Sequence, residues 1–162
     1  MSHVIISLGS NLGNRVLYLN AAISRMQSEI GCMVAKSSIY ESESWGFESK
    51  NAFLNQVVSF ETELNPEGLL KILLKIEYEL GRVRVSEVYE SRTIDLDILF
   101  FEDRIIDERA LQIPHPRIQE RKFILVPLNE ILPDFNHPIF QKSIKMLLAE
   151  CKDKLWVKKF IQ

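Results

Sequence analysis

The chain has 162 residues, 46% of them hydrophobic and 26% charged, and its 22 acids against 20 bases leave a net charge of −2. That length suits one domain spanning residues 1–162 with a sizeable core, and the charge balance excludes a global positive field for a nucleic-acid backbone, so any anion site must be local. Cys32 and Cys151 show neither C-x-x-C spacing nor a disulfide framework, and no apolar run reaches signal-peptide or membrane-spanning length, so the expectation is a cytoplasmic protein engaging neither membrane nor nucleic acid.

Val4-Ile5-Ile6-Ser7-Leu8 reads as a buried strand that ends in the turn-rich Gly9-Ser10-Asn11-Leu12-Gly13-Asn14. Val16, Leu19, Ile23, Met26 and Ile30 then recur every three or four residues, the stripe of an amphipathic helix, and Gly31 closes it. A strand, a glycine turn and a helix can cradle phosphate. Neither G-x-x-x-x-G-K-[ST] nor G-x-G-x-x-G is present, however, and the residues favour a structural turn with an N-cap. Met33 to Glu41 predicts a second strand, and residues 42–51, polar apart from Trp45 and Phe47 around Gly46, have the composition of a binding loop. Phe53 to Thr62 predicts a third strand on which Phe53 and Asn55 share a face. An aromatic plane beside an amide suits a flat heterocycle, although a core Phe and a turn-ending Asn are the commoner arrangement. Asn65-Pro66-Glu67 opens a second helix that runs through Leu69, Leu73, Ile76 and Leu80 to Gly81. Arg82 and Arg84 follow it, where guanidiniums complement the helix dipole or trap phosphate; the residue types alone favour the dipole.

The next strand, Arg92 to Phe101, is apolar except for Asp95 and Asp97, which the two-residue period places on one face with Leu96, Ile98 and Phe100 on the other. Two carboxylates so placed repel each other, and two readings stand: they hold a hard cation such as Mg²⁺, or they end at a solvated edge paired with arginine. Glu102-Asp103 reads as a hairpin turn leading into Arg104-Ile105-Ile106. Pro114 and Pro116 stiffen the backbone around His115, and Arg117, Arg121 and Lys122 follow; such a histidine suits a fixed ligand contact, while a satisfied structural role is the commoner one. Ile124 to Leu128 continues into the core, Ser143 can cap a short helix through Leu147 and Leu148, and Leu155 to Phe160 forms a small terminal element. The order βαββαβ predicts an α+β fold, an antiparallel sheet flanked by helices in ferredoxin-like topology with C-terminal additions. Two strand-borne carboxylates, loop cations, one constrained His, and Phe53 and Phe123 near an amide suit phosphoryl transfer from a nucleotide, which needs metal, cations and an in-line hydroxyl more than covalent chemistry.

Ser7-Leu8-Gly9-Ser10-Asn11-Leu12-Gly13, Phe53-Leu54-Asn55, Glu77 followed by Gly81-Arg82-Val83-Arg84, Arg92-x-x-Asp95-Leu96-Asp97-Ile98-Leu99, and Pro114-His115-Pro116-Arg117 with Glu120-Arg121-x-Phe123 together resemble the 6-hydroxymethyl-7,8-dihydropterin pyrophosphokinase family, from residue 5 to about residue 133. The resemblance implies that Asp95 and Asp97 hold two Mg²⁺ ions between ATP and the hydroxymethyl oxygen of the pterin, that this oxygen attacks the β-phosphorus, and that AMP leaves. It implies that Arg82 and Arg92 stabilise the phosphates during transfer. It also implies that Arg84, Ile98, His115 and Arg121 contact ATP, with Glu77 near the nucleoside. Phe53 and Phe123 would sandwich the pterin while Asn55 and the backbone around Ser42 and Trp45 read its edge, and segments 42–51 and 82–92 would close over the substrates. The chain departs from the family's Trp-Gly-Pro-Arg at Tyr89-Glu90-Ser91-Arg92, and has Leu74 and Ala110 where some members carry a polar residue and an arginine. A monomer is expected; the alternative is a relative that binds pterin or nucleotide without turnover.

Overall fold

The protein is described by a computed structural model over residues 1–43, 52–81 and 93–161. Strand β1 (Ser2–Ser10) lies inside the sheet, antiparallel to β4 (Phe53–Thr62) on one side and to β5 (Asp95–Phe101) on the other. The outer edge of β4 carries two short strands end to end, β2 (Gly31–Lys36) and β3 (Tyr40–Ser42), and β8 (Val157–Lys159) pairs with β3. The single strand expected over Met33 to Glu41 is therefore two. Ser37 interrupts it: its amide donates to the Val57 carbonyl, and its hydroxyl accepts from the Val57 amide and donates to the Ser38 carbonyl. At the start of β2, a Cβ on Gly31 would collide with the Glu61 carbonyl oxygen, so only glycine permits that approach.

Helices α1 (Arg15–Glu29) and α2 (Pro66–Glu79) cover one face of the sheet. Both begin as the sequence predicts, with Asn14 Oδ1 accepting from the Leu17 amide at 3.1 Å and Asn65 Oδ1 from the Gly68 amide at 2.7 Å. Leu19, Met26, Leu69, Leu73 and Ile76 of these helices meet Val4, Ile6, Leu8, Leu54, Val58 and Phe60 of the strands. Each such fully buried side chain contributes roughly 1.5–3 kcal/mol relative to exposure. This is the βαββαβ core in ferredoxin-like order β5-β1-β4 with β2 and β3 beyond, as expected. The other face is covered over half its length by α3 (Lys122–Ile131) and α4 (Ile144–Glu150), the latter capped by Ser143 as predicted. Among the described residues no helix is long and apolar enough to cross a membrane.

Two details depart from simple alternation. In the β1–β5 ladder Ile5 faces Phe100 and Ile6 faces Ile98, so Leu99 is an extra residue. This β-bulge turns Phe100 to the face of Asp95, Asp97 and Leu99, where it packs under α3 and α4, and sends Phe101 to the α1/α2 face; the expectation that Phe100 shares a face with Leu96 and Ile98 is corrected. The turn after β5 is present, with Glu102 at φ 51° and the Arg104 amide bonded to the Phe101 carbonyl, but β6 (Ile106–Asp107) pairs with β7 (Gln112–Ile113) instead of returning along β5.

Phe100 rests edge-on against His137, ring centroids 5.4 Å apart, in the turn between α3 and α4. The imidazole is buried, and its Nδ1 accepts from the amides of Ile139 and Phe140, which leaves the proton on Nε2. Burial pushes this group down to about 4. The unfolded chain therefore takes up the proton first as pH falls below about 6.5, and the stability that neutral His137 contributes is present above that pH and is lost down to about pH 4. Denaturant titrations should show stability falling between pH 6 and 4.5, and His137→Asn, which keeps an acceptor for the two amides but cannot titrate, should reduce that slope by about 1.4 kcal/mol per pH unit. An unchanged slope would show that His137 titrates normally in the fold.

Candidate active site

Below the part of the sheet that α3 and α4 cover, the second face is open, and small residues open it. The register sets Asp95, Gly9, Asn55 and Tyr40 in one row across β5, β1, β4 and β3, with Asp97, Ser7 and Val57 in the next. Paired residues of neighbouring strands point to the same face, so the two carboxylates stand beside Gly9 and Ser7, which leave room over the sheet. Both aspartates are half-buried. The sequence predicts a turn at Gly9, whereas β1 runs through to Ser10, two residues beyond the apolar run that marks the strand.

Asn55 is 4% exposed and its amide is oriented by its neighbours. Nδ2 donates to Ser42 Oγ at 2.8 Å and to the Tyr40 carbonyl at 3.3 Å, which leaves Oδ1 as the acceptor. A Cβ built on Gly9 would lie 3.8 Å from that Oδ1 and 3.8 Å from Phe53 Cδ1, so oxygen and ring border the same opening. Tyr40 is itself held by α3: its hydroxyl donates to Glu130 at 2.5 Å, and Glu130 also accepts from the Ser38 amide and hydroxyl. Burial first, and then Glu130, push the Tyr40 phenol up to about 12.

Helix α3 brings the opposite wall. Arg121, 7% exposed, precedes its first turn, and its guanidinium lies 5.8 Å from the centre of the Phe123 ring. The first helical amide, of Lys122, donates to Asp153 at 3.1 Å. Phe53, Asn55, Ser42, Phe123, Arg121 and both aspartates line one cavity. Five residues that the sequence placed around a flat heterocycle or a metal from separate segments, Phe53, Asn55, Phe123, Asp95 and Asp97, thus meet. Arg121, expected at the nucleotide, lines this same cavity.

A second cavity, on the far side of β5, is lined by Asp97, Ile98, His115, Leu70 and Ala110. His115 follows a cis Ile113-Pro114 peptide, and its amide donates to the Leu99 carbonyl at 3.0 Å. Its Nδ1 accepts from the Arg117 amide at 3.1 Å, so the proton sits on Nε2. Burial first, then the positive charge of Arg121, outweigh Asp95 and push it down to about 4, keeping it a neutral donor near pH 7. Glu77 is expected at the nucleoside; the residue is 3% exposed on α2, where its Oε2 accepts from the Leu96 amide at 2.7 Å. Trp45, Arg82, Arg84 and Arg92, with Tyr89-Glu90-Ser91, lie outside the described residues.

Two braces were not foreseen. Arg15 on α1 donates to Glu41 at 3.2 Å and to the Ala52 carbonyl at 2.8 Å, joining both ends of the undescribed stretch. Glu43 accepts from the Trp156 amide at 2.9 Å while β8 extends the sheet beyond β3, so the C-terminal segment supports the wall formed by Ser42. No short-range pattern in the sequence couples residues so far apart.

Among the described residues no group of three or more His, Cys, Asp or Glu could hold a metal ion. The Asp95/Asp97 pair could supply two hard carboxylates, which suit Mg²⁺, an ion that draws one or two such ligands from protein and the rest from phosphate and water. Carboxylates between an aromatic slot and a cavity with a histidine donor suit transfer of a phosphoryl group between two bound molecules.

Comparison with known proteins agrees. The family model for 7,8-dihydro-6-hydroxymethylpterin-pyrophosphokinase (HPPK) matches residues 5–133. The chain is 39% identical over 150 residues to the 2-amino-4-hydroxy-6-hydroxymethyldihydropteridine pyrophosphokinase of Aquifex aeolicus, covering 93% of this chain and 92% of the relative. It is 43% identical over 141 residues to the protein of that name from Porphyromonas gingivalis, covering 85% and 95%. In structure it resembles wild-type Plasmodium falciparum HPPK-DHPS with a TM-score of 0.75 at 19% identity, over 92% of this chain; it spans 44% of that fused chain, and this likeness concerns the fold.

Proposed function

The chain belongs to the 7,8-dihydro-6-hydroxymethylpterin-pyrophosphokinase family, and from that premise we propose how its residues perform the transfer of a diphosphate group from ATP to 6-hydroxymethyl-7,8-dihydropterin in folate biosynthesis. The observation that carries the assignment is that Asp97 lines both cavities. A group held there reaches a molecule in either one.

The pterin occupies the aromatic slot between Phe53 and Phe123, and Asn55 Oδ1, its amide nitrogen already committed to Ser42 and Tyr40, accepts from the N–H edge of the ring. ATP lies along the second cavity with its nucleoside against Ile98 and its phosphates toward His115, whose Nε2–H donates to a phosphate oxygen without bringing a titratable charge near pH 7. Asp95 and Asp97 would hold two Mg²⁺ ions. Bound there, the ions would neutralise the phosphate oxygens and favour ionisation of the hydroxymethyl group. The pterin oxygen attacks the β-phosphorus, the bond from that phosphorus to the oxygen of the α-phosphate breaks, and AMP leaves. Arg121 lines the cavity with both acids and its charge acts on His115, so it can absorb charge as it moves; Arg82, Arg84 and Arg92 are assigned to the phosphates, and Trp45 with Ser42 to the pterin edge, on family likeness. The same reading takes the chain as one domain that acts as a monomer in the cytoplasm, on family likeness.

Purified protein given ATP, Mg²⁺ and 6-hydroxymethyl-7,8-dihydropterin should release AMP only when the pterin is present, and EDTA should stop the release. Asp97→Ala should lower kcat about a thousandfold or more, equivalent to roughly 4 kcal/mol of lost transition-state stabilisation, with little change in thermal stability. An active Asp97→Ala protein would refute the metal assignment. Gly9→Ala supplies a separate check on the slot. The new methyl would stand at ordinary van der Waals distance from Asn55 and Phe53, so the fold should tolerate it. It would nonetheless fill the floor of the opening, and KM for the pterin should rise about tenfold or more with KM for ATP unchanged, since roughly 1.4 kcal/mol of lost contact is tenfold. An unchanged pterin KM would place the ring elsewhere.

A further inference from the structure

Among the described residues β5 is the outermost strand of the sheet on its side, and the backbone amides on its outer edge find no acceptor in a neighbouring strand. Leu96 lies between Asp95 and Asp97; its side chain is 5% exposed and packs into the α1/α2 core. On the helix packed against it, Glu77, a residue 3% exposed, directs its carboxylate to the Leu96 amide at 2.7 Å. A buried carboxylate is costly unless strongly hydrogen-bonded, and a backbone amide is a fixed donor, so the bond satisfies the Leu96 amide, which cannot shift away from Glu77 without losing this acceptor.

From this geometry we infer that Glu77 is a positioning residue: by gripping the Leu96 amide it fixes the peptide units that project Asp95 and Asp97, and thereby sets the separation and direction of the two carboxylates. The inference rests on the reading of that pair as the metal-holding group, and it gives Glu77 a task beneath the strand. A strand edge held by a helix-borne side chain can be neither frayed nor twisted by the charge repulsion between the acids above it. Fixed ligands keep their arrangement as charge moves along the phosphates, and residues that orient metal ligands commonly contribute 10–100-fold to metal affinity.

The variants are Glu77→Gln, which keeps an oxygen acceptor without the charge, and Glu77→Met, which keeps the volume without the acceptor. Two readouts are taken: hydrogen exchange of the Leu96 amide in metal-free, substrate-free protein, and Mn²⁺ affinity by electron paramagnetic resonance with α,β-methylene-ATP present. In Glu77→Met, Leu96 should exchange at least about tenfold faster and Mn²⁺ should bind about tenfold more weakly, while Glu77→Gln should stay within about threefold of wild type on both. Should Glu77→Met fail to fold, Glu77→Gln still decides, because loss of Leu96 protection in it overturns the tether. So do full protection of Leu96 in Glu77→Met, lost protection with unchanged Mn²⁺ affinity, and weakened Mn²⁺ binding in Glu77→Gln with Leu96 still protected. Wild-type protein that binds no Mn²⁺ overturns the metal reading itself, and the exchange experiment, read without metal, then judges the tether alone.

Discussion

The pairing of β5 with β1 is the constraint on which the chemistry depends. It sets Asp97 opposite Ser7 and Asp95 opposite Gly9, so the two acids stand over the smallest side chains of the central strand. Two residues past Asp97, the bulge at Leu99 brings Phe100 to join Leu99 in the core under α3 and α4. One strand therefore serves two ends: its C-terminal half is an apolar anchor on both faces, and its N-terminal half presents carboxylates to an open cavity. Without the bulge, Phe100 would join Ile98 on the α1/α2 face, and the second core would lose its largest strand-borne side chain. Removing a buried Phe costs about 3–5 kcal/mol.

The second layer acts on the same half-strand from either side. Helix α3 is anchored to the sheet through Leu125 and Leu128 and tied at its far end by Glu130 to Ser38 and Tyr40; its near end holds Arg121 and Phe123 over the opening. Beneath, α2 reaches up with Glu77 to the amide between the acids. The surface ion pairs that join α1 to α2, Arg25 with Glu79 and Lys75 with Glu29, and the Arg25–Glu29 pair within α1 are open to solvent screening and contribute little beside this. Rigidity is thus concentrated where two like charges are held side by side.

Much of this was legible in the sequence, for identifiable reasons. Helix starts at Asn14, Asn65 and Ser143 rest on local side-chain caps, and local chemistry is what a sequence displays. Phe53 and Asn55, Asp95 and Asp97 share faces because they sit two apart on strands. Features that arise from pairing were hidden: the break at Ser37 depends on Val57, the bulge at Leu99 on the partner strand, and the place of Gly9 in the site on how far β1 continues. The braces from Arg15 to Ala52 and from Trp156 to Glu43 join residues 37 and 113 positions apart, and no periodicity carries such information. Leu74 and Ala110 separate in the structure: Ala110 lines the second cavity, whereas Leu74 is an exposed residue on α2, 43% accessible.

The central claim is that one chain brings a pterin hydroxyl to the middle phosphorus of ATP. Phosphorus NMR of the reaction mixture tests it most directly. With Mg²⁺, ATP and the pterin alcohol, the spectrum should gain a coupled pair of signals from a diphosphate monoester, one of them further split by the methylene protons, while AMP accumulates in equal amount. A single, uncoupled monoester phosphate accompanied by ADP would mean attack at the terminal phosphorus, and would contradict the account.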